Sequence, residues 1–176
     1  VPPEVLPRLS PEPLDGPLPA IRWRWDAETD ILSGSFRGER SGGLDGAIEL
    51  TDAEGAVVVI DIADGAIAGV DVVVWPEVAT ARSLPLPEGA KPARLVLAQP
   101  RRMRGALSYE VETELTLRST PAEHTYHLAV GEGELEVGRT IRVADNLWVE
   151  LDEDAGLVGL WLAGVPPFPS LDSADS

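Results

Sequence analysis

Two stretches of this chain, ninety positions apart, carry the same succession of turns and apolar runs. In the first, a β-branched run over 57–62 meets Asp64-Gly65, then Gly69, Val70 and Val72, and closes at Trp75-Pro76. In the second, an apolar run over 147–151 meets Gly156, then Gly159, Leu160 and Leu162, and closes at Val165-Pro166. The shift lays Gly69 on Gly159, Val70 on Leu160, Val72 on Leu162 and Val59 on Val149. A unit written twice must bury each copy's apolar face against something. That constrains architecture closely and activity hardly at all.

The local pattern says which architecture. Leu107, Tyr109, Val111, Thr113, Leu115 and Leu117 alternate with Ser108, Glu110, Glu112, Glu114, Thr116 and Arg118. This period of two predicts one long half-buried strand over 106–118. Runs at 21–25, 30–36, 47–51, 56–62, 66–74, 93–99, 124–130, 134–143, 146–151 and 157–163 read the same way. They are rich in Val, Ile, Leu and Trp and are punctuated by Gly, Asp and Pro. No segment holds a helical period over twelve residues, and a single turn near 76–82 is the most helix expected. The fold class is all-β: two pseudo-repeated antiparallel β-meanders forming a sandwich or partly closed barrel.

Seven prolines in residues 1–20 predict an extended arm lying along its own domain or a neighbouring subunit. One β domain then spans 21–169, with repeat one at about 21–78, bridging strands over 79–122 and repeat two at about 123–169. Residues 170–176 read as a frayed tail.

Asp64-Gly65 between two apolar runs is a hairpin signal, because a type I′ turn needs positive φ at both positions. A regular two-residue turn pairs Ile62 with Ile67, Ile60 with Gly69, Val59 with Val70 and Val58 with Asp71. The ninety-residue shift then sets Trp148 opposite Trp161, Val149 opposite Leu160, Leu147 opposite Leu162, and Glu150 facing Gly159. One face of the second hairpin is aliphatic; the other holds two tryptophans and a carboxylate. On this reading the copies diverge where Val58 and Asp71 become Trp148 and Trp161.

The motif in Trp25-Asp26, Asp30 and Leu32, followed by Asp61, Gly65, Ile67, Gly69 and Val72, resembles a family of small bacterial β-rich proteins catalogued as a domain of unknown function. A degraded form recurs over 152–162. Ser33-Gly34-Ser35 departs from the family's aromatic-isoleucine run, and the second copy lacks the paired-aspartate turn. The resemblance implies a compact β-rich module and brings no activity with it.

Composition excludes several classes. With 30 acidic and 14 basic residues, the formal charge of −16 disfavours nucleic acid and anionic membrane surfaces. The absence of cysteine removes disulfides, thiolate metal sites and cysteine nucleophiles. Thirteen of the 14 basic residues are arginine, Lys91 being the exception, which points to a GC-rich bacterial genome. No apolar run reaches the roughly 18 residues that span a bilayer, and no signal peptide is visible. The cytoplasm is the expected compartment.

Few residues suggest chemistry. His124 and His127 are three apart in a strand pattern, so they fall on opposite faces, His124 on the core side with Tyr126. A satisfied strand histidine is the simpler expectation for either. Acidic turns at Asp26, Asp61 and Asp152 lack the spacing or the closing glutamate of a calcium loop. Glu110, Glu112 and Glu114 form a carboxylate stripe that would suit hydrolysis only with a cleft and a histidine beside it. Arg101, Arg102 and Arg104 form the one basic cluster and suggest a docking loop. Trp23 and Trp25 share a strand face with Arg22 and Arg24 behind them, while Trp148, Trp161 and Glu150 make the candidate contact face. No catalytic residue, metal or cofactor is assigned.

The leading expectation is a non-catalytic binding or structural module that self-associates. A small-ligand-binding barrel with a tryptophan-lined pocket is the first alternative. A hydrolase built on Glu110, Glu112 and Glu114 with His124 or His127 is the second.

Overall fold

The computed structural model describes residues 6–36, 46–98, 107–120 and 124–169. These residues form fifteen strands in two mixed sheets, with no helix and no closed barrel among them. The first sheet is centred on a meander of β4 (Gly46–Thr51), β5 (Val57–Ala63) and β6 (Ala66–Val74). A hairpin of β2 (Ile21–Asp26) and β3 (Ile31–Phe36) lies against β6 through β3. The second sheet repeats the plan. Its meander is β13 (Arg139–Ala144), β14 (Leu147–Leu151) and β15 (Leu157–Leu162), and its hairpin is β11 (Leu115–Thr120) with β12 (Thr125–Val130) on β15.

The remaining strands join the two sheets. β7 (Val78–Thr80) runs parallel to β11, and β8 (Lys91–Pro92) runs parallel to β13. β9 (Arg94–Leu97) returns to the first sheet, where β10 (Leu107–Glu112) lies parallel to β4. The long bridging strand expected over 106–118 is therefore two strands. Thr113 and Glu114 break it, and the chain passes from one sheet to the other. The helical turn expected near 76–82 is replaced by β7, whose backbone donors find a partner in β11. The run expected over 134–143 becomes a strand only from Arg139.

The alternation puts one face of each sheet into a shared core. Val58, Ile60, Ile62, Val70 and Val72 from one side meet Leu117, Leu128, Val149, Leu160 and Leu162 from the other. The cavity left between them is apolar, about 10 Å³, and lined by residues such as Val58, Val70 and Leu160. That is the limit for a single water, which would find no polar partner there. The described part of the proline arm, from residue 6, packs on its own domain: β1 (Leu9–Glu12) pairs with β9, and Leu9 donates its N–H to Ala155 O at 3.0 Å.

The registers carry one correction. Asp64 and Gly65 have φ of 51° and 77°, as a type I′ turn requires, and Ile62 does pair with Ile67. A bulge then inserts Ala68, so Ile60 faces Val70, Val59 faces Asp71 and Val58 faces Val72. In the second hairpin Trp148 faces Trp161, Val149 faces Leu160, Leu147 faces Leu162 and Glu150 faces Gly159, as expected. A bulge at Val158 occupies the equivalent place. Val58 is thus a core residue, 1% exposed, and Val59 stands where Trp148 stands in the second sheet.

Candidate functional site

Each bulge sets a carboxylate opposite a glycine on the solvent-facing side of its sheet: Asp61 on Gly69, Glu150 on Gly159. A Cβ at 69 would collide with the backbone carbonyl of Gly34, and a Cβ at 159 would push Glu150 Oε1 from its place. Glu150 lies down over the bare backbone and is only 9% exposed. His127 on β12, itself paired with Trp161, reaches across with Nε2 at 2.6 Å from Glu150 Oε1. Arg118, the partner of His127 on β11, holds Nη2 at 3.5 Å from His127 Nδ1, the long limit for a hydrogen bond. The tautomer that satisfies both contacts carries its proton on Nε2, donates to Glu150 and accepts from Arg118.

The Trp161 ring covers the imidazole, with centroids 4.4 Å apart and planes tilted by 52°. Its Nε1 is the one buried side-chain polar atom among the described residues without a hydrogen-bond partner. It lies close enough to Glu150 to favour the anion without closing a hydrogen bond. Burial alone would raise the Glu150 carboxyl. The hydrogen bond and attraction of His127 outweigh that, the indole and Arg118 add smaller pulls, and the group sits below its usual range. Trp148 is 6% exposed, and the Arg142 guanidinium lies over its ring, 5.0 Å from the centroid. Arg142 is anchored by donating from Nη2 to Asp145 O at 2.6 Å.

The structure therefore brings together Trp148, Trp161 and Glu150 on one face, with Trp148 the more covered of the two indoles. It adds Arg118, His127 and Arg142, which strand parity alone did not assemble. The signal for them was present: Arg118 and His127 fall on the outward positions of two neighbouring strands. Arg101, Arg102 and Arg104 lie outside the described residues, as does the tail over 170–176. His124 is not on the core side as expected. It is exposed in the turn before β12 with φ of 50°, where its carbonyl accepts from Val165 N.

Hydrolysis finds little support in this arrangement. Both ring nitrogens of His127 are engaged, leaving neither free as a general base or metal ligand. Glu112 and Glu114 line an open groove of about 580 Å³ with Asp52, Glu54, Glu77 and Glu132, and no histidine lines it. Among the described residues no group of three or more His, Asp or Glu side chains is placed to hold a metal ion. Asp26 and Asp152 cap their own turns, accepting backbone N–H groups at 3.0 Å from Glu28 and 2.8 Å from Gly156.

The equivalent place in the first sheet has different chemistry. Ser33 stands for His127, Arg24 for Arg118, Asp71 for Trp161 and Asp61 for Glu150. Burial pushes the Asp61 carboxyl up to about 7, helped by the charge of Asp71 and a hydrogen bond with it. One plan thus carries a histidine–carboxylate hydrogen bond roofed by an indole on one sheet and a pair of hydrogen-bonded acids on the other. Comparison with protein-family models and with curated proteins finds no match. Among the described residues no helix is long and apolar enough to cross a membrane.

Proposed function

We propose that the chain is a non-catalytic binding module that self-associates through the solvent-facing side of its second sheet. The observation that carries this reading is a half-exposed Trp161 set among Arg118, Arg142 and Trp148 in a chain of net charge −16. Aromatic and arginine side chains held rigid on a sheet are the groups that dominate protein interfaces. Here Trp148 lies under the Arg142 guanidinium, and Glu150 holds the imidazole of His127 that the Trp161 ring covers. The partner that fits such a patch is an acidic surface, and a second copy supplies one readily.

Self-association in the cytoplasm of a GC-rich bacterium, and kinship with the small β-rich bacterial family, belong to the same proposal. Sedimentation equilibrium tests it. The chain is expected to form a dimer or larger species, and Trp161→Asp to shift it to monomer with at least a tenfold weaker association. A clean monomer at high micromolar concentration overturns the reading. Raising salt should weaken the assembly, because Arg118 is exposed and screened.

A further inference from the structure

One row of residues runs straight across the outer face of each sheet, and the two rows occupy equivalent places. In the second sheet the row passes from Arg118 through His127, Trp161 and Trp148 to Arg142, each opposite the next on the neighbouring strand. In the first it passes from Arg24 through Ser33, Asp71 and Val59 to Glu49, and Glu110 on β10 extends it. Both rows step by the strand spacing of about 4.8 Å. Their relief is opposite. The second row stands tall on an imidazole and two indoles where the first lies low on Ser33, Asp71 and Val59. The second ends on Arg142 where the first ends on Glu49 and Glu110.

Val59 is the centre of the low row. It is a half-buried apolar residue on a face where alternation ordinarily places polar ones, set between Glu49 and Asp71. One row away, Asp61 lies between Ala47 and Gly69, and no tall side chain rises from either neighbour. The first face is thus a shallow floor with acid around it.

An indole seated on Val59 brings the rest of the two rows into line. With the rows running one way, Arg142 meets Glu110 and His127 lies over Asp71. Running the other way, Arg118 meets Glu110 and Arg142 lies over Ser33, beside Asp71. In both directions Arg24 meets an uncharged residue, Ala79 or Pro92, the outermost members of the second row. Two copies of the second row centred on Trp161 instead set arginine on arginine in either direction, and indole or imidazole on indole. Like charges so juxtaposed disfavour that pairing.

We propose that the row centred on Val59 is the docking surface for the Trp161 face of a second copy, so that copies join head to tail. This rests on the association through Trp161 proposed above and names its other half. The contact is heterologous. A joined pair still offers one free face of each kind, so the assembly extends as a chain or closes as a ring.

Sedimentation equilibrium on two full-length variants, alone and mixed, tests it. V59R raises a cation from the low row, and W161D removes the tall centre of the other. Each alone should associate at least tenfold more weakly than the parent. An equimolar mixture should recover the parent's affinity and stop at a one-to-one pair, because only one intact face of each kind remains. A V59R chain that associates like the parent overturns the head-to-tail scheme and leaves the Trp161 reading standing. A mixture that stays monomeric, with both chains unfolding cooperatively, also overturns it. A monomeric parent removes both readings together. Should a variant fail to fold, E49R/E110R replaces V59R and R118E replaces W161D, with the same outcomes.

Discussion

Glu150 shows how much one side chain depends on what its neighbours lack. It lies flat because residue 159 has no Cβ, and it stays ionised because His127 donates to it at 2.6 Å. Its carboxyl is lower in the folded chain than in the unfolded one, so its stabilising contribution is present above the unfolded value. That contribution is lost as pH falls through the folded one. Glu150→Gln should cost about 1–3 kcal/mol in denaturant unfolding at neutral pH, the penalty for leaving a buried group poorly paired. The deficit should shrink toward pH 3. Asp61 carries the opposite sign. Its folded value is raised from 3.8 to about 7, so stability is full below about 4 and falls as pH climbs through 7. Asp61→Asn should flatten that slope and leave the variant the more stable chain at pH 8. A parallel slope in variant and parent, measured by urea midpoints, would contradict this.

At the scale of elements, the sequence was legible wherever alternation and turns agreed. Val58, Ile60 and Ile62 announce one core face, and the runs at 21–25, 66–74 and 157–163 became strands within two residues of their expected ends. The second hairpin's register, with Trp148 on Trp161, was legible too. Less visible were features that depend on other chains of contact. A bulge at Ala68 leaves no local mark, since alanine suits a regular strand equally well. β7 and β8 are three and two residues long, exposed, and become strands only because β11 and β13 offer them an edge. The His127–Glu150 pair joins residues 23 apart in sequence, through the pairing of β12, β15 and β14. Periodicity can place each on a face but cannot say that the faces adjoin.

The whole molecule depends on its middle. Residues 78–120 supply an outer strand to each sheet, so neither half owns all of its own edges. A fragment ending at residue 98 lacks β10 and leaves β4 as a bare six-residue edge. Such a fragment should aggregate, or show the circular dichroism of an unfolded chain; cooperative unfolding of it alone would contradict the scheme. Three passages between the sheets are short. Residues 75–77 join β6 to β7, Ala93 joins β8 to β9, and Thr113 with Glu114 joins β10 to β11. Sliding or parting the layers would stretch all three at once, so they act as stitches where many two-layer proteins have a hinge. Signals cannot enter this molecule by opening it like a clamshell. They must arrive on an outer face.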